Sequence, residues 1–411
     1  MSSSSSKVDE KETKKSKSAV LSKQLSSARF MRQNVLTGKW CLYMHGGFKG
    51  KPSQMKRSNS GGKKRIEDEP RSVDKCPFCC DASKSDPDTT RSRPGDILRF
   101  DKKTKKWIED WSPETGSWSV RVVRNIFPVI SQCKNYYHDG YKSGYPEDNS
   151  KPFDEPYKQI PSLGHSEVIV EYPYHNVTHA IASVEEVKLT IEAMLMRGKA
   201  LRKSECARYV TFFKQHKCGS LVHAHSQLIT TPFVPSNIRR QCVRAKVYYE
   251  KHKECAACRV LIRDPLSNEE AKKRQVFHTK HFVVSVPYAA TESKEMVIAP
   301  RRHSCDFLNM NDEEIVDFAA CLRHCSGLYY YYMNDHAWNL GIITCPLRYE
   351  SDEERAEYEK YFHWHATIRP KRRHAAASGF SDASDIADNP YLPEDDAGLL
   401  RKWYNELLLA R

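Results

Sequence analysis

Apolar residues change period along this chain in an order that occurs twice. Trp118 to Ile130 (WSVRVVRNIFPVI) and His165 to His175 (HSEVIVEYPYH) are runs rich in β-branched residues and predict strands. Eight residues after His175, Ser183 stands three places before Glu186, the sequence mark of a capped helix start. Val187, Ile191, Met194 and Leu195 then recur at helical spacing. A further strand, Ala207 to Phe213 (ARYVTFF), leads to Leu221–Thr230, LVHAHSQLIT. The second passage starts with HFVVSVPYAA (His281 to Ala290) and EMVIAPRRH, which ends at His303. Eight residues later Asn311 stands three places before Glu314, and Ile315, Phe318, Ala319 and Leu322 supply the helical stripe. NLGIITCP and YFHWHATIRP, carrying His363 and His365, close the series.

Each passage is preceded by a Cys-x-x-Cys pair, CPFC (Cys76, Cys79) and CAAC (Cys255, Cys258). The repeated order predicts a duplicated α+β unit with antiparallel sheets and helices packed on them. The expected organisation is a disordered tail over 1–28, an N-terminal unit over 29–240 and a C-terminal unit over 241–411. The first copy is longer, by polar insertions between Cys80 and Trp107 and over 132–161 that read as surface loops.

With 411 residues, 39% of them hydrophobic, two such units can each bury a core. No run of eighteen apolar residues occurs, so no membrane span is expected. The lysine-rich, acid-containing start lacks an apolar signal core, which implies a cytoplasmic protein. The net charge of +14 is partly carried by a run expected to be a solvated loop, Lys56–Arg65. The excess favours anionic ligands such as nucleotides, and no nucleic-acid-binding motif is present. Fourteen cysteines without a secretory signal argue against a disulfide scaffold. Cys206, Cys321 and Cys325 are expected to be buried as small apolar residues, whereas the two pairs read as metal ligands or redox couples.

On a strand, His223, His225 and Gln227 project to one face. A lone histidine is more often a satisfied core residue than a ligand. Two imidazoles beside two Cys pairs are different, because Cys76, Cys79 and two histidines make a four-coordinate zinc set. The remaining histidine is then free to act as nucleophile or base, with the amide beside it. A redox role for the pairs lacks thioredoxin-like surroundings.

CPFC, the asparagine of VVRNIFP, VIVEYPYH and GSLVHAHSQLITTPFVP together resemble the galactose-1-phosphate uridylyltransferase family of the histidine-triad superfamily. The likeness continues through HFVVSVPYAATESKEMVIAPRRH, FHWHATIRP and NPYLPEDDAGLLR, from about Arg29 to Arg401. The H-x-H-S-Q form is more similar to the bacterial transferases and the plant ADP-glucose phosphorylase branch. The resemblance implies two tandem histidine-triad-like units and a transferase of carbohydrate metabolism. A nucleoside monophosphate would pass from a nucleotide-sugar, UDP-hexose, to a hexose 1-phosphate such as galactose 1-phosphate. His225 would carry it as a nucleotidyl-histidine, with Gln227 holding a phosphoryl oxygen. Ser220 and Gly219 would meet the phosphates, and Asn125 and Phe127 the ribose and base. Zinc would be held by Cys76, Cys79, His175 and His223, with His179 a lesser alternative to His175. Cys255, Cys258, His303 and His363 would form a second site, so one or two ions per chain are implied; iron is an alternative occupant. A homodimer follows from the same resemblance.

The chain departs from the family at several points. The loop between Phe213 and His223 is short and keeps only Gly219, so Lys214, His216 or Lys217 are candidates for positive charge there. Lys49 and Lys51 are candidate phosphate contacts in a changed basic stretch. Thr367 replaces an acid, and GFSDASD (with Gly379 and Phe380) replaces a Gly-rich segment. His365 keeps the nucleophile's position in the second unit and is expected to be structural. Two rivals remain: a nucleoside-diphosphate-sugar phosphorylase with phosphate as acceptor, and a zinc-stabilised nucleotide-binding protein without catalysis.

Overall fold

The computed structural model describes residues 29–33, 40–44, 65–73, 76–79, 96–109, 118–132, 159–349, 351–371, 379 and 383–410. The tail over 1–28, Lys49, Lys51, Phe380 and all of the basic run but Arg65 lie outside the described residues.

Among the described residues, the centre of the fold is one antiparallel sheet of eleven strands. The first passage supplies β3 (Asp96–Asp101), β4 (Lys106–Glu109), β5 (Trp118–Arg124), β9 (Ser166–Val170), β10 (Tyr209–His216) and β11 (His225–Thr231). The second supplies β12 (Gln275–His278), β13 (Phe282–Ser285), β14 (Met296–Pro300), β15 (Trp338–Ile343) and β16 (His365–Pro370). Spatially the order is β4-β3-β5-β9-β11-β10 and then β15-β16-β14-β13-β12. Outward from the β10–β15 seam the corresponding strands follow in matching order on each side. The seam is a regular ladder, with Phe212 opposite Ile342 and Gln215 opposite Asn339. The expected α+β class stands, but the antiparallel sheet is continuous between the passages. Pairing β10 with β15 satisfies edge groups that separate sheets would leave open.

Two long helices follow from the capping residues. α1 (Val184–Leu201) starts at Ser183 and α3 (Asp312–Tyr332) at Asn311, each with a reciprocal bond to the glutamate three residues on. Leu228, Phe212, Ile169, Ile298 and Ile368 pack with these helices in the main core. By the two-residue period of a strand, His225 and Gln227 project to the opposite face. Another helix, α2 (Ser236–His252), follows β11.

The insertion before Trp107 is not wholly loop, because it contributes β3 and the first residue of β4. Leu98 is 1% exposed, and its apolar contact explains why a polar segment joins the sheet. Residues 133–158 of the second insertion lie outside the described residues. Its end, β7 (Gln159–Pro161), pairs with β1 (Arg29–Gln33), which also pairs with β2 (Trp40–Met44). A parallel pair, β6 (Ser131–Gln132) and β8 (Leu163–Gly164), lies alongside. Cys321 and Cys325 are buried and free, as expected; Cys206 is buried too, but it is disulfide-bonded rather than a simple apolar core residue. Among the described residues no helix is long and apolar enough to cross a membrane.

Candidate active site

The loop carrying Cys76 and Cys79 lies against the entry to β11. Cys76, Cys79, His175 and His223 are all buried, with their donor atoms within 4.8 Å of one another. His223 Nδ1 lies 3.7 Å from Cys76 Sγ and 3.4 Å from Cys79 Sγ, and His175 Nδ1 lies 3.4 Å from Cys79 Sγ. Bonds of about 2.3 Å to sulfur and about 2.0 Å to nitrogen give a tetrahedral S···N edge of roughly 3.5 Å, so these side chains fit a zinc ion. The ring of His223 is fixed from behind, because its Nε2–H donates to the Tyr172 carbonyl at 2.7 Å. β11 begins at His225, so His223 precedes the strand rather than sharing its face. His179 is elsewhere, its Nδ1 accepting from the Tyr172 hydroxyl at 2.6 Å.

The second set repeats this arrangement in detail. Cys255, Cys258, His303 and His363 also gather their donors within 4.8 Å. Cys258 Sγ lies 3.2 Å from His303 Nδ1 and 3.3 Å from His363 Nδ1. His363 Nε2–H donates to the carbonyl of Pro300, three residues before His303, as His223 uses Tyr172, three residues before His175. A hydrogen bond from Cys258 holds the Cys255 thiol well below its ordinary range, while Cys255 pushes Cys258 up. Two thiolates this close do not both ionise without a cation between them.

His225 opens β11, opposite Val170 of β9. Its Nδ1–H donates to the His223 carbonyl at 2.8 Å, which leaves Nε2 with the free lone pair. Burial lowers its pKa to about 4, so the ring is neutral at pH 7. Phe78, inside the CPFC loop, packs against both histidines, with ring centroids 5.9 Å from His223 and 5.5 Å from His225. Gln227 is half-buried two residues on, opposite Phe213 of β10.

Behind His225, on the helix side of the sheet, lies a charged network that sequence reasoning missed. Lys214, expected as a free cation, is buried, and its Nζ donates to Glu171 at 2.6 Å. Ser226 donates its hydroxyl to the other Glu171 oxygen. Burial alone would raise the Glu171 pKa, but the charges of His179 and Lys214 hold it down at about 2. His179 is itself held at about 4 by burial, so Lys214 is the cation that matters at neutral pH. Lys217 and His216 are likewise committed, at 2.8 and 2.6 Å from the Asp335 carboxylate. None of the three candidate cations is free to meet a phosphate. A charged pair within apolar strands was the available signal. Arg121 was missed as well; it is buried, on the same face as His225 and opposite Val170.

Asn125 and Phe127 lie at the far end of this strand group. Asn125 bonds Ser166, and Ser166 stands four residues along β9 from Val170, about 13 Å by strand rise. The Asn125 side-chain oxygen accepts from the Phe127 backbone N–H at 3.0 Å, tying the two into one turn. Gly219 and Ser220 are half-exposed in the segment between β10 and His223. Gly379 is exposed, and Thr367 faces Gly341 and Val297 in the sheet.

No family model matches the sequence. An ADP-glucose phosphorylase of Arabidopsis thaliana is 24% identical over 379 residues, 90% of this chain and 92% of that protein. A galactose-1-phosphate uridylyltransferase of Thermotoga maritima is 24% identical over 254 residues, 60% of this chain and 76% of the relative. The solved ADP-glucose phosphorylase of Arabidopsis thaliana with bound ADP-glucose shares the fold at TM-score 0.62 and 21% identity, over 91% of this chain and 99% of that one. A solved uridylyltransferase matches at TM-score 0.58 and 25% identity, over 76% and 99%.

Proposed function

We infer, from a chain homologous to galactose-1-phosphate uridylyltransferases and ADP-glucose phosphorylase, that it transfers a nucleoside monophosphate through a covalent nucleotidyl-histidine at His225. The observation that carries this reading is the tautomer of His225. With Nδ1–H committed to the His223 carbonyl, the Nε2 lone pair is directed away from the backbone. Nε2 attacks the α-phosphorus of a nucleotide-sugar; the N–P bond forms, and the P–O bond to the sugar phosphate breaks. Sugar 1-phosphate leaves with the electron pair. An acceptor phosphate oxygen then attacks the same phosphorus and releases the imidazole. Gln227, two residues on, donates its amide N–H to a phosphoryl oxygen. Cys76, Cys79, His175 and His223 would hold zinc, whose contribution is to fix the backbone that presents His225.

Two acceptors fit this residue set. The first is a hexose 1-phosphate, with UDP-hexose as donor. The second is inorganic phosphate, and the longer match to ADP-glucose phosphorylase, 90% of the chain against 60%, favours it. Intact-mass measurement after incubation with UDP-, ADP- or GDP-glucose should reveal one added nucleoside monophosphate, absent in His225→Ala. The acceptor that discharges the adduct, galactose 1-phosphate or phosphate, identifies the reaction. If no nucleotide-sugar leaves an adduct, the non-catalytic binding reading replaces this one.

A further inference from the structure

The internal repeat places a second histidine where His225 would be. His365 opens β16 as His225 opens β11, and its Nδ1–H donates to the His363 carbonyl at 3.2 Å. Nε2 is again the nitrogen left over. His365 lines a cavity of about 620 Å³ between the second Cys/His set and α2, within the range of small-molecule sites.

The walls of that cavity are chemically sorted. Arg244 and Lys251 supply positive charge, and neither forms an ion pair among the described residues. Among the described residues no acidic side chain lines it. Val243 and Val247, one helical turn apart, are 57% and 59% exposed, and Tyr248 stacks on His252 with ring centroids 4.3 Å apart. An apolar, aromatic wall beside unpaired cations and an imidazole suits a ligand with a flat ring at one end and a phosphate at the other. We propose that this cavity is a second, non-covalent binding site for a nucleoside 5′-phosphate, its phosphate held by Arg244, a ribose hydroxyl donating to the Nε2 lone pair of His365, and its base against α2. Thr367 stands where the first passage has Gln227, so the amide that would hold a transferred phosphoryl group is missing. The site therefore binds and does not transfer.

The proposal does not depend on the reaction at His225, and its test separates them. Equilibrium dialysis of the metal-loaded full chain against UMP and AMP should retain a binding site in His225→Ala. That remaining affinity should fall about tenfold or more in His225→Ala carrying Arg244→Glu, as expected for losing a charge-assisted phosphate bond, and about three- to fivefold with His365→Ala, which loses a neutral hydrogen bond. Arg244 is exposed, so its variant should keep the parent's melting temperature and metal content. Absence of binding of either nucleotide to His225→Ala would overturn the proposal. So would binding indifferent to both substitutions, or an Arg244→Glu effect on self-association with nucleotide binding unchanged.

Discussion

Lys214 is a lysine in a strand of Val, Thr and Phe, on the face of the sheet that the helices cover. Its ammonium, the Glu171 carboxylate and the Ser226 hydroxyl satisfy one another without water, 1% and 0% of the two charged side chains being exposed. Ser226 adjoins the candidate nucleophile, so the network holds the backbone of β11 from the side opposite the chemistry. Removing one partner strands the other charge in the core, which costs about 3–5 kcal/mol. Lys214→Ala should therefore lower unfolding stability in urea by about that much. A combined Lys214→Met, Glu171→Leu exchange should recover much of the loss, because it leaves no orphaned charge. At this scale the Cys and His groups were legible because metal chemistry restricts both residue type and spacing. Lys214 was not, since a lysine in a short loop and one sealed in a strand read alike until the partner, 43 residues away, is known.

Element positions were readable where local chemistry sets them. The two capping boxes placed the starts of α1 and α3, and the β-branched runs placed β5, β9 and β14. The β3 strand escaped notice because its apolar residues are embedded in a polar insertion, and only Leu98 reaching the core explains it. α2 escaped for another reason: Ile238, Cys242, Ala245 and Tyr249 do recur at helical spacing, but between many basic residues. Gly164 is the other unread position. It lies so close to the Thr230 carbonyl of β11 that a Cβ there would overlap the oxygen. Gly164→Ala should cost about 1–3 kcal/mol through overpacking, measurable as a lowered urea midpoint. An unchanged midpoint would mean that the contact between β8 and β11 yields easily.

At the scale of the molecule, the repeat was visible in the order of motifs but the single sheet was not. Nothing in the residues of β10 or β15 announces their pairing, because ladder bonds run between backbone groups that every residue carries. The unit boundary expected near residue 240 falls just inside the start of α2, while the sheet ignores it. The β10–β15 seam has one more outcome. A fragment ending near residue 252 would hold the first Cys/His set and all of β10, yet leave that strand's outer row of N–H and C=O groups bare. The surface best matched to the missing half would be an identical copy, since the second passage is built to the same plan. Such a fragment should run as a dimer by light scattering, two half-molecules restoring between them the symmetry that duplication wrote into one chain.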